Sequence, residues 1–174
     1  LKGLSSFTSH PYTWEGNHSI SSFATELAKY FGIVEAHSYF LAIPILLCMV
    51  TMVISIFCDA SRRKYGGIDP YVLLGITVLM MVVPSVSHDY KLSILPFSVF
   101  FLLSHESKRS ASLDGNLKRS TLVLFLFSFA YASTLYSYQF KPPGLNNNFI
   151  GIFMLLVCTF FFSRKCRTAV FSQE

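Results

Sequence analysis

The chain has 174 residues, is 52% hydrophobic and 16% aromatic, and carries only 13% charged residues, against about 25% in an ordinary soluble domain. The missing charge is concentrated in long apolar runs, so the composition points to an integral membrane protein and away from one large soluble core. The net charge of +5 comes from basic residues in short flanks beside those runs, which excludes a nucleic-acid footprint, and no nucleic-acid partner is expected.

Residues 1–38 hold no basic start followed by an apolar core, so a secretory leader is not read there. Because the chain begins at Leu1, the expectation is that something upstream was removed or that this is the C-terminal part of a longer protein. HPYTWEGNHS, with the single Trp, reads as a surface loop able to carry function. Next, SISSFATELAKYF puts Ile20, Phe23, Ala24, Leu27 and Phe31 on one stripe. That spacing predicts a short amphipathic helix along the membrane surface, packed on the spans or partly in the headgroups, with Ser19 as N-cap and Gly32 ending it.

Five apolar segments follow, each a candidate span at about 39–58, 68–86, 90–104, 121–138 and 149–163. A crossing helix needs about 20 apolar residues; the third and fifth segments are short, and Gly75, Pro84 and Pro96 are read as kinks or ends. The expected fold is therefore all-α: an outer-face loop and interfacial helix over 1–38, a transmembrane region over 39–163, and a basic tail over 164–174. Cys48, Cys58, Cys158 and Cys166 lack metal-site or redox spacing and read as small apolar side chains.

Charge sets the orientation. If the five segments alternate, Arg62, Arg63, Lys64, Lys108, Arg109, Lys118, Arg119, Arg164, Lys165 and Arg167 all fall on one side, and Lys2, Lys29, Lys91 and Lys141 on the other. The positive-inside rule makes the first side, with the C-terminus, cytoplasmic. Residues 1–38 and the turn holding His88, Asp89, Tyr90 and Lys91 then share the outer face.

That tetrad has two readings. A tight turn must be polar, and Asp is favoured there. Alternatively, His88 and Lys91 offer hydrogen bonds or positive charge to a phosphate, while Asp89 orients His88 or a sugar hydroxyl. Asn17 and His18 in the loop divide the same way, between helix entry and ligand contact. Asn17-His18-Ser19 also fits a glycosylation acceptor. His10, His37 and His105 stand singly and read as ordinary. No catalytic triad, phosphate-binding glycine loop or metal cluster is visible, and neither a metal nor a cofactor is expected.

EGNHSISSFATELAKYFG and PSVSHDYKLSILPFSVFFLL together resemble two elements of glycosyltransferase family 87, the polyprenol-phosphate-mannose-dependent mannosyltransferases of the GT-C fold. The resemblance covers residues 12–104 and rests on the outer-loop segment before a short helix and on a His-Asp-Tyr tip leading into a Leu/Pro-rich span. It implies an enzyme that moves a hexose, mannose in that family, from a polyprenyl-phosphate donor at the outer face to a lipid or glycan acceptor. His88 would then lie near the donor phosphate with Asp89, Tyr90 and Lys91 beside it, and Asn17 and Ser19 would line the outer loop. His18 stands where the family more often has glutamine. The family's catalytic acid lies in a first outer loop, so the general base is expected upstream of Leu1 and this chain alone is expected to be inactive.

Three rivals stand beside that reading. An envelope polysaccharide polymerase or ligase typically relies on several outer-face Arg residues, and none falls on the outer side here. A transporter or channel would place ionisable groups within spans, where this chain has them only at the ends. A non-catalytic multi-spanning membrane protein is the third.

Overall fold

The computed structural model describes residues 17, 19–34, 37–62, 67–84, 93–109, 113–137 and 147–171. These are all-helical: α1 (Ile20–Tyr30), α2 (Tyr39–Arg62), α3 (Pro70–Val82), α4 (Leu95–Arg109), α5 (Leu113–Ser137) and α6 (Asn147–Phe171). The long helices pack side by side, with α6 against α2, α3 and α5, while α3 is held among α2, α4 and α6. The small helix α1 rests on α2.

Each long helix buries one stripe and turns apolar side chains outward on the rest. In α2 the buried residues are Met49, Val53, Ile56 and Asp59, spaced i, i+4, i+7 and i+10. On its far side Phe40, Ile43, Leu47, Ile54 and Phe57 are exposed. The pattern repeats in α4, where Leu95, Val99 and Leu102 face in and Phe97, Phe100 and Phe101 face out. In α5, Val123, Leu126 and Ala130 face in and Leu122, Leu124, Phe125 and Phe129 face out. Among the described residues α2 is the one helix long and apolar enough to cross a membrane by length and composition. Its 24 residues extend about 36 Å at 1.5 Å per residue, against a hydrocarbon core of about 30 Å.

Helix ends differ from the apolar runs in ways that capping and proline explain. Instead of running from 68 to 86, α3 has 13 residues. Asp69 caps it, accepting hydrogen bonds from the backbone N–H groups of Tyr71 (2.9 Å) and Val72 (3.2 Å), and Pro70 occupies the first turn. Its far end falls just before Pro84: Val83 still has helical φ −70° and ψ −41° and bonds to Leu79 O, but proline has no N–H to carry the ladder further. The fourth helix begins at Leu95 with Pro96 in its first turn and runs to Arg109, later at both ends than the 90–104 segment. Both α5 and α6 extend beyond their apolar segments into polar sequence.

Close approach decides two contacts. A Cβ on Gly151 would lie 3.0 Å from the Ala130 Cα, so α5 and α6 meet almost backbone to backbone. On Gly75 of α3 a Cβ would meet Val53 at 3.3 Å and Ile56 at 3.7 Å, which seats α3 on the buried stripe of α2.

Candidate functional site

The bundle has two chemically distinct ends. Tyr71 in the first turn of α3 donates its hydroxyl proton to Glu106 Oε1 near the end of α4. Arg119, early in α5, donates from a guanidinium nitrogen to Glu106 Oε2 at 3.2 Å. The Arg119 guanidinium also lies over the Phe162 ring, late in α6, 5.5 Å from its centroid. His105 meets Tyr71 edge-on, with ring centroids 5.9 Å apart. The start of α3, the end of α4, the start of α5 and the end of α6 are thereby gathered at one end. Arg62, Lys118, Arg164 and Lys165 belong to the same helix ends and are exposed, and Arg164 sits 4.7 Å over the Phe160 ring.

The end of α3 and the starts of α4 and α6 therefore lie at the other end, and α1 joins them. Phe23 of α1 stacks on Phe149 at the head of α6, with centroids 4.5 Å apart. Thr25 Oγ1 bonds to Ser38 Oγ at 3.3 Å just before α2. Pro84 and Ser93, which flank the segment holding His88, Asp89, Tyr90 and Lys91, are attached to this same end. Those four residues themselves, with His18, lie outside the described residues.

Asn17 and Ser19 are described, and both are fully buried. The Ser19 N–H donates to Asn17 Oδ1 at 3.1 Å, and Ser19 Oγ accepts from the Ser22 N–H at 3.1 Å. Of the two readings, helix entry is the one seen: these side chains build the N-terminus of α1. The same burial keeps the Asn17 side chain of the glycosylation pattern from the surface.

The face that α1 turns inward matches the expected stripe at Ile20, Phe23 and Ala24 and departs from it elsewhere. Ile20, Ser22, Ala24, Thr25 and Ala28 are buried, whereas Phe31 is 64% exposed. Ala24 and Ala28 let α1 approach the bundle closely, and the Thr25 hydroxyl is satisfied by Ser21 O at 2.9 Å, so small and locally bonded groups displace larger apolar ones.

The cluster around Glu106 escaped the sequence reading, which treated residues 104–120 as a loop and His105 as ordinary. Two signals were present. Asp69-Pro70 is a helix-start signature that fixes where Tyr71 emerges. Glu106 is an acid within the otherwise basic stretch SHESKR, whose helical continuation carries it inside.

Among the described residues no three His, Cys, Asp or Glu side chains form a metal-binding group. Comparison with protein families, characterised proteins and solved structures finds no match to this chain.

Proposed function

We propose that this chain is a multi-pass membrane protein forming the donor side of a membrane glycosyltransferase that moves a hexose, mannose on the family resemblance, from a polyprenyl phosphate at the outer face. The observation that carries the reading is convergence: the two stretches on which the resemblance rests are attached to the same end of the bundle, opposite the basic residues. α1 and the cap of Asn17 and Ser19 lie at that end, as do Pro84 and Ser93, which flank His88, Asp89, Tyr90 and Lys91 in the sequence. The outward apolar faces of α2, α4 and α5 support the membrane part of the reading.

In the transfer, the acceptor hydroxyl oxygen bonds to the sugar C1 as the bond from C1 to the phosphate oxygen breaks, leaving its electron pair on the phosphate. The acceptor proton passes to a carboxylate. His88 and Lys91 supply hydrogen bonds and positive charge to the departing phosphate, with Asp89 orienting His88 and Tyr90 flanking it. Asn17 and Ser19 act one step back, holding α1 in place as a wall.

The test is transfer from radiolabelled polyprenyl-phosphate mannose in membranes carrying the full-length protein. His88→Ala is expected to lower the rate about a hundredfold, as loss of one transition-state donor does elsewhere. Ser107→Ala, at the opposite end and exposed, should leave it unchanged. Wild-type transfer by the His88 variant would remove His88 from the donor site, and no transfer at all by folded protein would favour a non-catalytic membrane role.

A further inference from the structure

Residues 30–34 and 37–40 carry an exposed aromatic and aliphatic shelf at the same end of the bundle as the start of α2. Tyr30 is 77% exposed, Phe31 64%, Val34 65% and Phe40 63%. The rings form two groups: Tyr30 meets Phe31 edge-on, and His37, Tyr39 and Phe40 lie against one another with centroids 4.2 to 6.5 Å apart. Gly32 (φ +69°) and the bond from the Ile33 N–H to Ala28 O at 2.8 Å turn the chain here from α1 into α2.

From this geometry we infer that the shelf is a bilayer anchor, taking the headgroup–acyl boundary of the outer leaflet as its partner, and that α1 meets lipid through its C-terminal turn and not through the stripe its sequence suggests. Two observations select lipid as the occupant. First, the shelf is continuous with the outward stripe of α2, since Phe40 is at once its last residue and the first of Phe40, Ile43, Leu47, Ile54 and Phe57. Second, its composition is mixed: Tyr hydroxyls, His37 and the exposed Lys29 stand among rings and aliphatic groups, the chemistry that settles where one side is apolar and the other wet. The buried side of α1, with Ala24 and Ala28, is already occupied by the protein.

The inference rests on the membrane part of the proposed function and not on its sugar chemistry. It is tested by tryptophan fluorescence of the full-length protein in nanodiscs, in a background where Trp14 is replaced by Phe. Tyr30→Trp and Leu47→Trp are read against phospholipids brominated near the headgroup or near the chain terminus. The Tyr30 variant is expected to lose about half its emission to the shallow bromines and little to the deep ones, as befits a group about 5–10 Å into the boundary. The Leu47 variant is expected to respond more to the deep bromines. Quenching at Leu47 with none at Tyr30 overturns the anchor while leaving the membrane reading intact, and a chemically cross-linked dimer through residue 30 would identify a second copy as the occupant instead. Absence of quenching at both positions overturns both. Sugar transfer measured on the same nanodiscs reports separately on the enzymatic reading.

Discussion

At the basic end of the bundle, four helices converge on one buried carboxylate: Glu106 takes the Tyr71 hydroxyl and the Arg119 guanidinium, and Arg119 in turn rests on Phe162. At the opposite end, an eleven-residue helix lies against the bundle through a ring stack, small side chains and a local cap. The polar side chains of the first end cross-link helices far apart in sequence. Those of the second include local bonds, Ser19 to Asn17, Ser22 to Ser19 and Thr25 to Ser21, beside the one from Thr25 to Ser38. The first end is therefore expected to act as a clasp for α3 to α6, and α1 at the second as a lid that loosens without opening the bundle.

The sharpest way to break that contrast is Glu106→Ala. It leaves the Arg119 guanidinium without its carboxylate and the buried Tyr71 hydroxyl without its acceptor, and should cost about 3 kcal/mol, the lower part of the range for breaking a buried pair because Arg119 is partly exposed. Thermal unfolding in detergent should show this as a lowered midpoint for the whole bundle. A variant that melts like wild type would mean the clasp does not hold the helices. Gly151→Ala comes next. Its methyl would meet Ala130 at 3.0 to 3.1 Å, mostly backbone that cannot swing aside. A loss of about 2 kcal/mol is expected, with weakened cross-linking between cysteines placed on α5 and α6.

Ser19→Ala should cost about 1 kcal/mol through the lost cap, and its effect should be local. Amide exchange is expected to quicken over residues 20–34 while α3 to α6 keep their protection; acceleration throughout would show that the lid is coupled to the clasp. Smallest is the coupling of Phe23 to Phe149, about 0.5–1.5 kcal/mol for a stacked pair, read from a double-mutant cycle with Leu at each position. A coupling near zero would assign the seating of α1 to Ala24 and Ala28 alone.

Most of the helices were legible in the sequence because runs such as YFLAIPILLCMVTMVISIFC leave no other economical conformation in an apolar surrounding. Tyr39 opens α2 where the run begins. What hydropathy misses is where a helix ends. The α5 helix starts at Leu113 inside LDGNLKRS, because backbone hydrogen bonding continues wherever no cap or proline stops it. For α1, the stripe was legible in part: Ile20, Phe23 and Ala24 face the bundle as its spacing suggests, Phe31 does not, and Thr25 and Ala28 join the buried side because helices approach most closely over small residues. The Glu106 clasp depends on four helices meeting, and no local window contains that information. Asn17 and Ser19 were singled out as a pair, and they do come together, in a cap.

The near-contact of Gly151 with Ala130 also bears on how the protein responds to temperature. In a lipid surrounding, helices that separate exchange protein contacts for acyl-chain contacts, and little apolar surface meets water. On the proposed multi-pass reading, the attraction between α5 and α6 comes from dispersion between closely matched surfaces, not from release of ordered water. Separating them should produce a small change in heat capacity, because that change follows apolar hydration. Their association should accordingly lack the weakening on cooling that water-driven cores show, and the α5–α6 pair would keep its grip in the cold.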